Sequence, residues 1–133
     1  MIVVDTNILA YRWLPSPQGA LIEKLLAVDA EWAAPPLWRS EFRNLLAGLI
    51  RSGKMTLAEA EAALQKARSC LIAGEHTVSD HAVIALLAQS RCTAYGCEFA
   101  ALAEALDTVL VTEDKALLTA FPKFCRSLSQ TIK

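Results

Sequence analysis

Short apolar blocks alternate along this chain with longer blocks whose apolar positions recur every three or four residues. The first short block, Ile2-Val3-Val4, stops at Asp5-Thr6-Asn7, and a second, Val109-Leu110-Val111-Thr112, stops at Glu113-Asp114. Runs this short, rich in β-branched residues and closed by polar turns, predict buried strands. Glu31-Trp32-Ala33-Ala34 predicts another short strand, ended by Pro35-Pro36, and the stretch near Cys125-Ser127 an edge strand.

The longer blocks predict helices. Ile8 to Trp13 has helical spacing, and Ser16-Pro17 reads as an N-cap followed by a first-turn proline. The next helix carries Leu37, Trp38, Phe42, Leu45, Leu46, Leu49 and Ile50, with Gly53 as its C-cap. Thr56-Leu57-Ala58-Glu59 matches a capping box and opens a helix through Leu64 and Leu71 to Gly74. Ser79 caps a helix through Ala88, Cys92 to Gly96 is a break, and Cys97 to Leu106 is a further helix. Lys115-Ala116-Leu117-Leu118 begins the last, broken by Pro122.

Buried strands alternating with helices predict a parallel sheet covered on both faces. In such sheets ligands bind at the carboxyl ends of the strands. Asp5 and Asp114 both follow strand ends, so two carboxylates would reach the same sheet edge. Asp5 has a second reading as a helix cap or turn former.

The 133 residues predict one domain, 1–133, and 54% are hydrophobic, as suits a compact α/β core. No apolar run is long enough to span a membrane, and there is no signal-peptide pattern, so a cytoplasmic protein is expected. A formal net charge of −1 argues against a generally basic nucleic-acid coat, though not against a local basic patch. Cys70, Cys92, Cys97 and Cys125 form no CxxC pairs and read as reduced, mostly buried thiols rather than a metal or disulfide set.

Four motifs occur in order over nearly the whole chain: Val3-Val4-Asp5-Thr6-Asn7, Glu41 in the first turns of a mid-chain helix, Ala94-Tyr95-Gly96-Cys97-Glu98-Phe99 with the small residues after it, and Leu110-Val111-Thr112-Glu113-Asp114-Lys115. Together they resemble the PIN-domain family, in particular VapC-type toxins, the nuclease halves of bacterial and archaeal toxin–antitoxin pairs. The resemblance implies a three-layer α/β/α fold with a central parallel sheet of four or five strands. It implies three or four acids holding Mg²⁺ or Mn²⁺ for hydrolysis of RNA phosphodiester bonds. By motif Asp5, Glu41 and Asp114 are the metal-binding and catalytic acids, and Thr112 matches the hydroxyl before the last acid, orienting Asp114 or a water. It also implies a cognate antitoxin and a homodimer. Where the family carries its third acid this chain has Gly96. The alternative function is therefore a catalytically weakened PIN domain that acts by binding antitoxin or RNA.

The acids make physical sense with a cation. Clustered carboxylates repel one another and an RNA backbone, whereas Mg²⁺ takes oxygen ligands and keeps several waters, so two or three carboxylates suffice. All three should then converge in one coordination sphere. Glu98 is a candidate stand-in for the missing acid, but two residues along a helix turn it about 200° from position 96; its other reading is a solvated first-turn acid. Arg39 and Arg43 share a helix face that Glu41 does not, and read either as an ion pair or as phosphate contacts. Trp13, Trp32 and Trp38 read as core or interface rings, or as stacking surfaces. The runs Leu45-Leu46-Leu49-Ile50 and Leu57-Leu64-Leu71 are expected to build a dimer contact, an antitoxin groove or both.

Overall fold

The computed structural model describes residues 1–133. Four strands form one parallel sheet in the order β2-β1-β3-β4: β1 (Ile2–Val4), β2 (Trp32–Ala33), β3 (Leu110–Val111) and β4 (Cys125–Arg126). Eight helices flank it: α1 (Thr6–Trp13), α2 (Gly19–Val28), α3 (Leu37–Arg51), α4 (Leu57–Cys70), α5 (Asp80–Ala88), α6 (Ala94–Ala105), α7 (Lys115–Ala120) and α8 (Leu128–Thr131). This is the expected three-layer α/β/α arrangement, with four strands. No helix is long and apolar enough to cross a membrane.

The two acid-terminated strands, β1 and β3, are neighbours at the sheet centre, paired Val3 to Leu110 and Val4 to Val111. Every residue of both is buried, which explains their unbroken apolar composition. Parallel pairing in this register brings their carboxyl ends, and so Asp5 and Thr112, side by side. Trp32, Trp38 and Phe42 are buried in the main core, and the Trp38 and Phe42 rings meet edge to face at 5.9 Å. The core is therefore the use of Trp32 and Trp38; Trp13 packs against it from a half-buried position beneath the Arg12 guanidinium.

Local signals account for most boundaries. The capping box at Thr56 and Glu59 is present in both directions, and Gly53 follows α3 at φ +75°, the left-handed conformation a C-cap glycine provides. Three boundaries differ from the sequence expectation. Helix α2 begins at Gly19, because the Ser16 hydroxyl is used in a turn, accepting from the Gln18 amide at 3.0 Å. Helix α4 ends at Cys70, short of Gly74. Gly74 instead lets two backbones approach: its carbonyl accepts from the Ala34 amide at 3.0 Å, and a Cβ there would run into the Trp32 carbonyl. Helix α6 begins at Ala94, three residues before the expected start, since Thr93 acts as N-cap and accepts from the Gly96 amide at 3.0 Å. Gly96 thus lies inside the first turn, not in a break.

Glu75 ties α3 to the segment beyond α4. One of its oxygens, Oε2, accepts from the Trp38 indole at 2.7 Å and from Arg39 Nε at 2.9 Å. Burial alone would raise this carboxyl, but the two hydrogen bonds and the Arg39 charge outweigh it and hold it below the ordinary glutamate range. Its stabilising contribution is then complete above that range and is lost as pH falls through the lowered value. Glu75→Ala is expected to cost about 1–3 kcal/mol at neutral pH, because it strands the indole N–H of a fully buried tryptophan. Urea unfolding at neutral and acidic pH tests this: the deficit should shrink on acidification, and an equal deficit at both would contradict it.

Candidate active site

At the carboxyl edge of β1 and β3 the chain leaves a cleft of about 770 Å³ lined by 15 residues. Asp5, Glu41 and Asp114 all line it, together with Gly96 and Glu113. The cleft contains no lysine, arginine or histidine among its lining residues.

Each acid is held by a local donor. Asp5 is the N-cap of α1: its Oδ1 accepts from the Ile8 amide at 3.0 Å and its Oδ2 from the Thr112 hydroxyl. The cap reading and the site reading of Asp5 therefore coexist. Asp114 caps α7, with Oδ1 accepting from the Ala116 and Leu117 amides at 2.9 and 3.2 Å. Glu41 projects from α3 and accepts at 2.7 Å from the hydroxyl of Thr6, a buried residue that the sequence did not single out. The signal for Thr6 was its place directly after the strand-end acid.

Thr112 is fully buried, donates to Asp5 and accepts from the Asp114 amide at 3.0 Å, so it couples the two strand ends. Thr112→Val keeps the shape but leaves an Asp5 oxygen and the Asp114 N–H unpaired, which should cost about 1–3 kcal/mol. Thr112→Ser should recover most of that loss. Matched denaturant midpoints for Val and wild-type chains would contradict the coupling.

Burial pushes the Asp5 carboxyl up to about 6; the Thr112 and Ile8 hydrogen bonds oppose the shift, and the charges of Glu41 and Asp114 add to it. No ion pair relieves these acids, since the salt bridges of the chain join the N-terminal amine to Asp29 and Glu31 and Arg39 to Glu75. A half-buried carboxylate among like charges and without a cation is a donor set suited to a hard divalent ion. The acids are not, however, gathered into one coordination sphere as expected: no three His, Cys, Asp or Glu side chains stand together as a ready-made metal centre. Glu41 is tethered to Thr6, and Asp114 to the amides of its own helix cap.

The remaining candidates lie elsewhere. Glu98 is not among the cleft-lining residues; burial and the charge of Glu41 raise its carboxyl. Arg39 and Arg43 line a separate pocket with Leu64 and Arg68, between α3 and α4. Arg39 takes the ion-pair role with Glu75, and Arg43 Nε donates to the Arg39 carbonyl at 3.1 Å. The cleft also exposes Asn7 and Tyr95, which belong to two of the motifs but were assigned no role, and Ser40 and Asn44, which carried no sequence signal.

A parallel sheet with helices on both faces and an acid-lined cleft at its carboxyl edge defines a class of α/β proteins with a potential cation site. The family model for the PIN domain matches residues 2–122, and the chain belongs to that family. Among solved structures it is similar to PAE2754 from Pyrobaculum aerophilum, with 23% identity, a TM-score of 0.75, and coverage of 98% of this chain and 92% of that one. That likeness concerns the fold. No curated protein sequence matches the chain.

Proposed function

We propose that this PIN domain, spanning 1–133, is a metal-dependent endoribonuclease and the toxin component of a toxin–antitoxin pair, working in the cytoplasm. The observation that carries the proposal is Asp5: a half-buried carboxylate, unpaired with any cation, in a cleft shared with Glu41 and Asp114. These three acids would hold one Mg²⁺ or Mn²⁺ ion. Such an ion supplies charge neutralisation at the phosphate and Lewis-acid polarisation. The chain's own contribution is to keep its donors aimed. Thr112 holds one oxygen of Asp5, Thr6 holds Glu41, and the α7 cap fixes Asp114 through a single oxygen, leaving Oδ2 free. The reaction is attack of water on phosphorus with cleavage of a P–O ester bond.

A second reading, a catalytically weakened domain that binds antitoxin or RNA, is favoured by one residue, Gly96, which lines the cleft without an acid. A cleavage assay on a mixed RNA pool with Mg²⁺, Mn²⁺ or EDTA, beside an Asp5→Asn control, separates the two. Metal-dependent cutting lost in the control supports the nuclease. RNA or antitoxin binding without cutting supports the weakened domain.

The apolar runs expected to meet partners divide between core and surface. Leu46 and Leu71 are in the core, whereas Ile50 and Leu57 are exposed, as are Ile72 and Ile84. These exposed apolar residues would serve a homodimer contact. An apolar groove of about 530 Å³ between α1 and α3, lined by Tyr11, Leu14 and Leu49, shares Asn7 and Leu45 with the acid cleft and would seat the antitoxin. A strictly monomeric species in sedimentation at high concentration would count against the dimer.

A further inference from the structure

The acid cleft poses a problem of affinity. Its lining carries four acids, Asp5, Glu41, Glu113 and Asp114, and no cationic side chain. Proteins that hold RNA through its backbone do so with lysine and arginine, and this cleft offers none. Apart from a bound ion, its attraction for a substrate must come from neutral groups. Single-stranded RNA offers such a contact, since its unstacked bases can lie on aromatic rings.

Tyr95 is the residue in the cleft able to provide it. It is 63% exposed, a high value for a large aromatic side chain, and no packing role accounts for it. It lies in the first turn of α6, and Thr93, which caps that helix, and the adjacent Gly96 also line the cleft. One turn along the same helix face stands Phe99, which lines the cleft and is itself buried. Tyr95 thus rises from an apolar wall into solvent, within a site otherwise made of carboxylates. Exposed Asn7 and Asn44 in the same cleft carry amides that can meet base edges.

We propose that Tyr95 binds a base of the single-stranded substrate next to the phosphate held at the acids, with Phe99 backing the wall from which it projects. The inference rests on the ribonuclease reading and names the residue that supplies substrate affinity in it. Stacking tolerates any base, because every base has a π-face. Tyr95 therefore sets affinity for single strands rather than strong sequence preference.

The test uses the full unaltered chain, with Ca²⁺ replacing Mn²⁺ so that the acids hold an ion while RNA is bound rather than cut, and fluorescence anisotropy with two probes. One is a short mixed-sequence single-stranded RNA; the other is an oligomer of the same length built from abasic spacers. The RNA should bind more tightly than the spacer oligomer. Adding Tyr95→Ala should weaken RNA binding about tenfold and leave the spacer oligomer unchanged, and Tyr95→Phe should restore most of the loss. In the cleavage reaction with Mn²⁺, the Ala change should raise KM more than it lowers kcat. Two results would overturn the proposal alone: an Ala variant that binds RNA as tightly as the parent while the parent cuts RNA, or one that weakens both probes equally. If the parent chain neither binds nor cuts RNA, the ribonuclease reading falls, and the role of Tyr95 with it.

Discussion

Asp5→Asn should abolish metal-dependent cleavage and, in EDTA at neutral pH, make the protein more stable than the unaltered chain. Loss of a carboxylate from a cation site removes charge that no neutral amide replaces. The gain in stability follows from the raised carboxyl. In the folded chain Asp5 titrates at about 6, against an ordinary value of 3.8. Between those values the folded state holds a proton that the unfolded state has released, so stability falls as pH rises through the window. A shift of that size corresponds to about 3 kcal/mol of penalty at pH 7, all of it absent below the unfolded value. Asparagine keeps an oxygen for the Ile8 amide and carries no charge to desolvate. Urea unfolding of both chains in EDTA at neutral pH and near pH 4 measures the effect. The variant's advantage should be large at neutral pH and vanish in acid. A variant less stable at neutral pH would mean that the Thr112 hydrogen bond outweighs the burial penalty.

Gly96→Asp should tighten Mn²⁺ binding by about tenfold or more, the scale on which carboxylate number tunes divalent affinity, and should raise RNA cleavage. Gly96 lines the cleft with the three acids, so an added carboxylate enters the site. Its new Cβ would meet Leu117 Cδ1 and Thr93 Oγ1, each at 3.3 Å, so those side chains must yield slightly. Position 96 is the third residue of α6 after its Thr93 cap, where an acid favours the helix dipole and can return a hydrogen bond to the cap. Repulsion from Asp5, Glu41 and Asp114 acts the other way in the metal-free protein. The variant should therefore depend more on metal for its melting temperature than the unaltered chain. Melting curves across a Mn²⁺ titration, with cleavage in parallel, decide this. Equal metal-induced shifts and equal cleavage would show that position 96 is not a ligand position.

The features legible in the sequence were those that depend on local rules. Ile2–Val4 and Val109–Thr112 read as buried strands because parallel sheets bury both faces, and the acids after them followed from that. What escaped were contacts set by tertiary register. Thr6 reaches Glu41, 35 residues away, only once α3 lies over the carboxyl end of β1. Glu75 captures Arg39 because its segment bridges to Ala34 beyond β2, so a guanidinium that the sequence left open between ion pair and phosphate contact is used inside the fold. Ser16-Pro17 carries a strong helix-start signal that the chain uses for a turn, and Thr93 carries a cap signal that the glycine at 96 masked, because a capping box is recognised by its acid or amide. The spread of the three carboxylates was equally illegible: motif order places them at one cleft, while the donors that tether each one decide how near they come.

In the proposed function Asp5, Glu41 and Asp114 act together on one divalent ion. Calorimetric titration of Mn²⁺ into the unaltered chain, Asp5→Asn, Glu41→Gln and Asp114→Asn tests it most directly. One ion per chain should bind, with binding severely weakened by each single change. Binding that persists unchanged when any one of the three acids is neutralised would contradict it.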